Sequence, residues 1–95
     1  MHGRRTIARE RQRIVAAYPD LQERDLIKRA TLTAALAEGL QRRGVAEPAA
    51  SIAADMGIGV FYVAFGRWLD GAADRELVDI VHEGFDQLKA VAAGR

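Results

Sequence analysis

The segment between Pro48 and Asp70 constrains this chain more than any other. Its spacing predicts one long helix, opened by Glu47-Pro48 and ending near Leu69. Ile52, Met56, Val60 and Val63 form one stripe on it. Phe61, Phe65 and Trp68, joined by Ile58 and Leu69, form another. Together they cover roughly two-thirds of the circumference, whereas a surface helix shows an apolar stripe of ~100°. A helix apolar on most sides is buried on most sides. The whole chain has 95 residues, and a domain of that size leaves much of its surface in water. Three further helices would struggle to surround this one. Gly57, Gly59 and Gly66 each cost it about 1 kcal/mol relative to alanine, which points to close backbone approach by another element. The simplest reading gives the helix its own core on one side and a second subunit on the other. The plainer alternative is an intramolecular core around an Ala/Gly-rich central helix.

The rest of the chain also reads as helix. Alanine occurs 18 times and proline twice, a balance that favours helix, and no strand-length alternation of apolar and polar residues occurs. A first helix is expected over Arg4–Ala17. Pro19 disfavours helix at Tyr18 and suits the first turn of a second helix, where Asp20 and Glu23 complement the N-terminal dipole. That helix is expected to run to Arg42-Arg43, with Gly44 as a left-handed stop. Residues 70–73 read as a loop, with Asp74 as the N-cap of a fourth helix continuing almost to Gly94. The fold class expected is therefore all-α, four helices in one domain over residues 1–95.

Charge is unevenly placed along this sequence. Residues 1–43 hold ten Lys/Arg against five Asp/Glu, and residues 44–95 hold four against eight. The net charge of +1 gives no global pull toward nucleic acid or membrane. Arg5, Arg9 and Arg13 repeat at i, i+4 and repel one another. With Arg4 and Arg11 they could touch phosphate, or form a solvated face that pairs with acidic sequence. On the second helix Leu21, Leu26, Ala30, Leu32, Thr33, Leu36, Ala37 and Leu40 share a broad face. Arg29 projects within it, to read an anionic group on a ligand or to pair with Asp25 one turn earlier. On the fourth, Leu77, Ile80, Val81, Gly84, Leu88 and Val91 line one side with Val78 and Phe85 at its edge, opposite Asp79, Glu83 and Asp86.

Little here suggests catalysis. Cysteine is absent, which excludes disulfides, thiolate metal sites and a thiol nucleophile. His82 lies within helical reach of Asp79 and Asp86 but lacks a second well-placed histidine, so no metal is expected. Ser51 is the sole serine, without a triad, and no Gly-rich phosphate loop follows a strand. No enzyme activity and no cofactor is expected. No unbroken apolar run approaches the roughly 18 residues of a membrane span, and no membrane partner is expected. Phe61, Tyr62, Phe65 and Trp68 could line a cavity or simply fill the core.

The order of these elements resembles a known family. Arg4-Arg5, Ile14 and Ala17-Tyr18-Pro19-Asp20-Leu21 resemble the start of the effector domain in bacterial TetR-type transcriptional regulators, especially the MftR-like C-terminal subgroup. Arg42-Arg43-Gly44-Val45, the run Val60 to Leu69 with its Arg67-Trp68-Leu69 ending, and the last helix from Glu76-Leu77-Val78-Asp79 to Gly84-Phe85-Asp86-Gln87-Leu88 continue the likeness over nearly the whole chain.

The resemblance implies an all-α domain whose last two helices build an intersubunit four-helix bundle in a homodimer. It also implies an apolar ligand pocket inside each subunit, and a repressor whose DNA affinity falls when ligand binds. The lack of a charge cluster in the apolar faces points to an apolar or amphipathic small-molecule effector, and the absence of cysteine fits a cytoplasmic protein. The helix-turn-helix head of such regulators has no counterpart here, so the chain is expected to be a C-terminal fragment that meets DNA only through that missing head. Pocket candidates are Arg29, Leu32, Leu36, Phe61, Phe65 and Trp68. Dimer candidates are Met56, Val60, Val63, Leu77, Val81, Gly84 and Leu88, and the two faces of the third helix could exchange these roles. A second class of function is a stand-alone helical nucleic-acid-binding protein that uses Arg4, Arg5, Arg9, Arg11 and Arg13. A third is a dimerisation module without a ligand.

Overall fold

The computed structural model describes residues 2–71 and 75–94. Its described residues form four helices and no strand: α1 (His2–Ala17), α2 (Pro19–Arg42), α3 (Ala49–Leu69) and α4 (Leu77–Ala92). The all-α expectation and the order of the helices hold.

Local chemistry explains most of the boundaries. Tyr18 is extended, at φ −127° and ψ 114°, and Pro19 begins α2. A residue before proline is pushed out of the helical region, whereas proline itself suits a first turn. Gln22 Nε2 donates to the Ala16 carbonyl at 2.7 Å, satisfying one of the free acceptors at the end of α1. Gly44 ends α2 with φ +98°. Its N–H donates to the Gln41 carbonyl, and the Val45 N–H donates to that of Leu40. These two bonds form a Schellman closure, which needs the left-handed residue that glycine supplies. At the start of α4, Glu76 occupies the N-cap without a side-chain cap bond. Asp74, expected in that role, lies outside the described residues, as do Ala72 and Ala73 of the expected loop.

The chain divides into two compact units. One comprises Met1–Gln12 with Gly59–Arg95, the other Arg13–Ile58. In the first, Ala64, Leu69 and Ile80 are buried. In the second, Val15, Ala50 and Ala54 are buried. The second unit thus closes on small side chains and the first on one alanine with two larger aliphatic residues, and α2 has no buried residue at all.

On α3 the buried positions are alanines and the terminal Leu69, while Ile52, Met56, Phe61 and Val63 stay exposed. Small residues let helix axes approach closely. Gly59 and Gly66 of α3 do not play that part, because nothing lies within 4 Å of where a Cβ on either would stand. The close approach comes from α4 instead, where a Cβ on Gly84 would stand 2.9 Å from Val60 Cγ1. By length and composition α3 could also cross a membrane, with a mean hydropathy of 1.5 over an 18-residue window. This revises the sequence reading. Ser51, Asp55 and the glycines interrupt the apolar run without lowering its mean enough.

In the first unit, two arginines of the α1 stripe donate to backbone carbonyls far along the chain. Arg9 Nε donates to the Leu69 carbonyl at 2.8 Å, and its Nη2 donates to the same oxygen. Arg5 Nη2 donates to the Arg75 carbonyl at 3.2 Å, and its guanidinium lies 5.5 Å from the Trp68 ring centroid. A cation at the last carbonyl of a helix also meets the negative end of its dipole. Arg9→Ala is therefore expected to lower stability by about 1–2 kcal/mol, toward the low end for a charged hydrogen bond because Arg9 is largely exposed. Urea unfolding of the two proteins checks this, and equal midpoints at equal slopes would contradict it.

Candidate functional site

In the Arg13–Ile58 unit, α2 and the first turns of α3 border an open, shallow groove of about 450 Å³, a volume within the range of small-molecule sites. Leu26, Ala30, Thr33 and Ala37 recur at three- and four-residue spacing along α2. Arg29 and Ala34 flank them, and Ser51 and Asp55 enter from α3 one turn apart. The alanines leave room that larger side chains would fill.

The polar groups of the groove are partly committed. Thr33 Oγ1 donates to the Arg29 carbonyl at 2.9 Å, a local bond typical of a hydroxyl within a helix. Ser51 Oγ donates to Glu47 Oε2 at 2.6 Å, and the Ser51 N–H donates to Glu47 Oε1 at 2.9 Å. These two bonds hold the Glu47 carboxyl below its ordinary value, the hydroxyl bond first. Both hydroxyl protons are thus spent, but their oxygens can still accept. Arg29 donates and Asp55 accepts. Arg29 and Asp25 are both engaged in polar interactions.

Of the expected pocket residues, Arg29 lines this groove. Leu32 and Leu36, elsewhere on α2, are 44% and 39% exposed and do not line it. Phe61, Phe65 and Trp68 belong to the other unit. There the rings of Phe61 and Phe65 stack with centroids 6.0 Å apart, and Phe65 meets Trp68 at 5.7 Å. Apart from Arg29, sequence reasoning singled out none of the lining residues as groove residues: Leu26, Ala30, Thr33 and Ala37 were placed only on the apolar face of α2, and Ala34, Ser51 and Asp55 were not placed at a ligand at all. The available signal was the row Ala30, Ala34 and Ala37 at i, i+4, i+7 on one side of α2, small enough to leave a hollow.

The expected dimer residues separate in the same way. Val60 and Gly84 face each other within the chain. Leu77, Val81 and Leu88 are half-buried. Val63 is 68% exposed, and Val78, Phe85 and Val91 on α4 are also exposed. Gly59, Val63 and Gly66 share a face of α3 by their spacing, and that face is open over both glycines. Met56, in the other unit, is exposed.

Elsewhere in the first unit Arg75 pairs with Glu83, whose carboxyl is lowered by the hydrogen bond and then by the charge of Arg75. His82 is exposed, and no group of three or more His, Asp or Glu among the described residues could hold a metal ion. Of the basic stripe, Arg5 donates to the Arg75 carbonyl and Arg9 to the Leu69 carbonyl, so both are partly committed within the unit.

No curated protein and no solved structure shows a significant match to the chain. A family model does, the one described as the MftR C-terminal domain, and it matches residues 2–93. That span takes in all four helices, the groove and the open face of α3, and the chain therefore belongs to the MftR C-terminal domain family of TetR-type regulators.

Proposed function

We propose that this chain acts as one domain, the ligand-sensing and dimerisation part of a cytoplasmic TetR-type transcriptional regulator. The family match over residues 2–93 carries this reading. Two features of the structure support its parts. The face of α3 around Gly59, Val63 and Gly66 is open and apolar, which suits a second copy of α3 and α4 in an intersubunit bundle. The apolarity of α3 is then covered by protein rather than by lipid. The α2/α3 groove has the size and the mixed lining of a site for an amphipathic small molecule.

Ligand in the groove would favour one arrangement of the dimer over another. A change in the spacing of two DNA-reading heads, supplied outside these residues, would then alter the fit to paired operator half-sites. Control of DNA binding thus needs both parts, because ligand acts on the spacing and the dimer sets it.

Light scattering over a range of concentrations tests the dimer. A persistent mass near twice 10.4 kDa is expected. A mass of one chain at every concentration would overturn the dimer reading.

A further inference from the structure

The groove of the Arg13–Ile58 unit has a specific donor and acceptor inventory, and we infer from it that its ligand is zwitterionic at the head and apolar in the body. The inference rests on the proposal that this groove is the ligand site.

Three of its four polar groups offer oxygen acceptors. Ser51 and Thr33 have already given their hydroxyl protons to Glu47 and to the Arg29 carbonyl, so toward a ligand they accept. Asp55 on α3 also accepts. A primary ammonium brings three donors and a positive charge to such a set. The fourth group, Arg29 on α2, only donates. It is already engaged elsewhere, but its five N–H groups can serve a second carboxylate beside that engagement.

A purely cationic amphipath would meet Asp55 but be repelled by Arg29. A purely anionic one would meet Arg29 but be repelled by Asp55. One molecule carrying both charges, as an α-amino acid head does, satisfies both walls. Its aliphatic or aromatic body lies against Leu26 and Ala34.

The test uses four probes with one tail: 2-aminodecanoic acid, decanoic acid, decylamine and decanol, each titrated calorimetrically into the 95-residue chain. Arg29 and Asp55 are both exposed, where a charge pair is screened by water, so the zwitterion is expected to bind about fivefold tighter than the other three. Asp55→Asn should weaken the zwitterion and the amine but not the acid. Arg29→Gln should weaken the zwitterion and the acid but not the amine. Ala34→Leu, on an exposed helical position where leucine is well tolerated, should fill the groove and weaken all four.

If all four probes bind alike and only Ala34→Leu weakens them, the head-group inference falls and the groove stands as a ligand site. If none binds, or binding is indifferent to Ala34→Leu, the groove is not the ligand site and both readings fall. Circular dichroism of each variant confirms that the helices are intact.

Discussion

Val63→Glu is expected to give a folded monomer. Val63 is 68% exposed within the chain, so a longer, charged side chain there can extend into solvent. Exposed substitutions of this kind usually change the stability of the isolated fold by less than about 0.5 kcal/mol. In the proposed dimer the same position sits between Gly59 and Gly66 on the face that would meet the second copy of α3. A carboxylate buried there without a partner costs about 3–5 kcal/mol, which weakens association by a factor of roughly a hundred to several thousand. The two effects differ enough to be separated. Sedimentation should show one chain at concentrations where the parent protein is a dimer, while circular dichroism keeps its helical signal. A dimer of unchanged mass and affinity in a folded Val63→Glu protein would move the interface away from this face of α3. Leu88→Glu is a poorer test, since Leu88 is half-buried within the chain and a charge there also disturbs the fold.

The second large effect is expected at Gly84. A Cβ on this residue would stand 2.9 Å from Val60 Cγ1, closer than side chains pack. Val60 is β-branched, and its χ1 has one strongly preferred state in a helix, so it cannot swing aside cheaply. Gly84→Val must therefore push α3 and α4 apart in this unit. Overpacking of this kind costs typically about 1–3 kcal/mol, and valine recovers only part of the helix propensity that glycine lacks. A net loss of about 2 kcal/mol should lower the melting temperature by about 10 °C in a domain of this size. Removing the obstruction supplies the control. Val60→Ala alone should destabilise, but combined with Gly84→Val it should restore stability relative to the sum of the two changes, a coupling that a double-mutant cycle reads directly. Additivity of the two would mean that the α3–α4 contact at this point is not what holds glycine at position 84.

Both predictions separate residues that looked equivalent in sequence. Val60 and Val63 belong to one stripe of one helix, three residues apart. In the fold Val60 is committed to Gly84 inside the chain, and Val63 is left uncovered. Periodicity places side chains on a face, but it does not say how far around the helix a neighbour reaches. The same gap explains Val91, grouped with the inward side of α4 yet 73% exposed. It explains Arg5 and Arg9 as well. Their spacing on α1 was legible as a basic stripe, but Arg5 donates to the Arg75 carbonyl and Arg9 to the Leu69 carbonyl, 70 and 60 residues away in sequence. Long-range partners of this kind leave no local mark in a sequence.

The sequence by itself determined the four helices, most of their ends and the family. Pro19 and Gly44 act through their own backbone geometry, and that chemistry is local enough to be read one residue at a time. The tertiary structure alone decided which apolar residues are covered, that alanines and Leu69 rather than most of the larger stripes form the buried positions of α3, and that Arg29, Ser51 and Asp55 share a groove. Those outcomes depend on which helix faces meet and at what distance. That is set by the summed packing of many side chains, none of which specifies it alone.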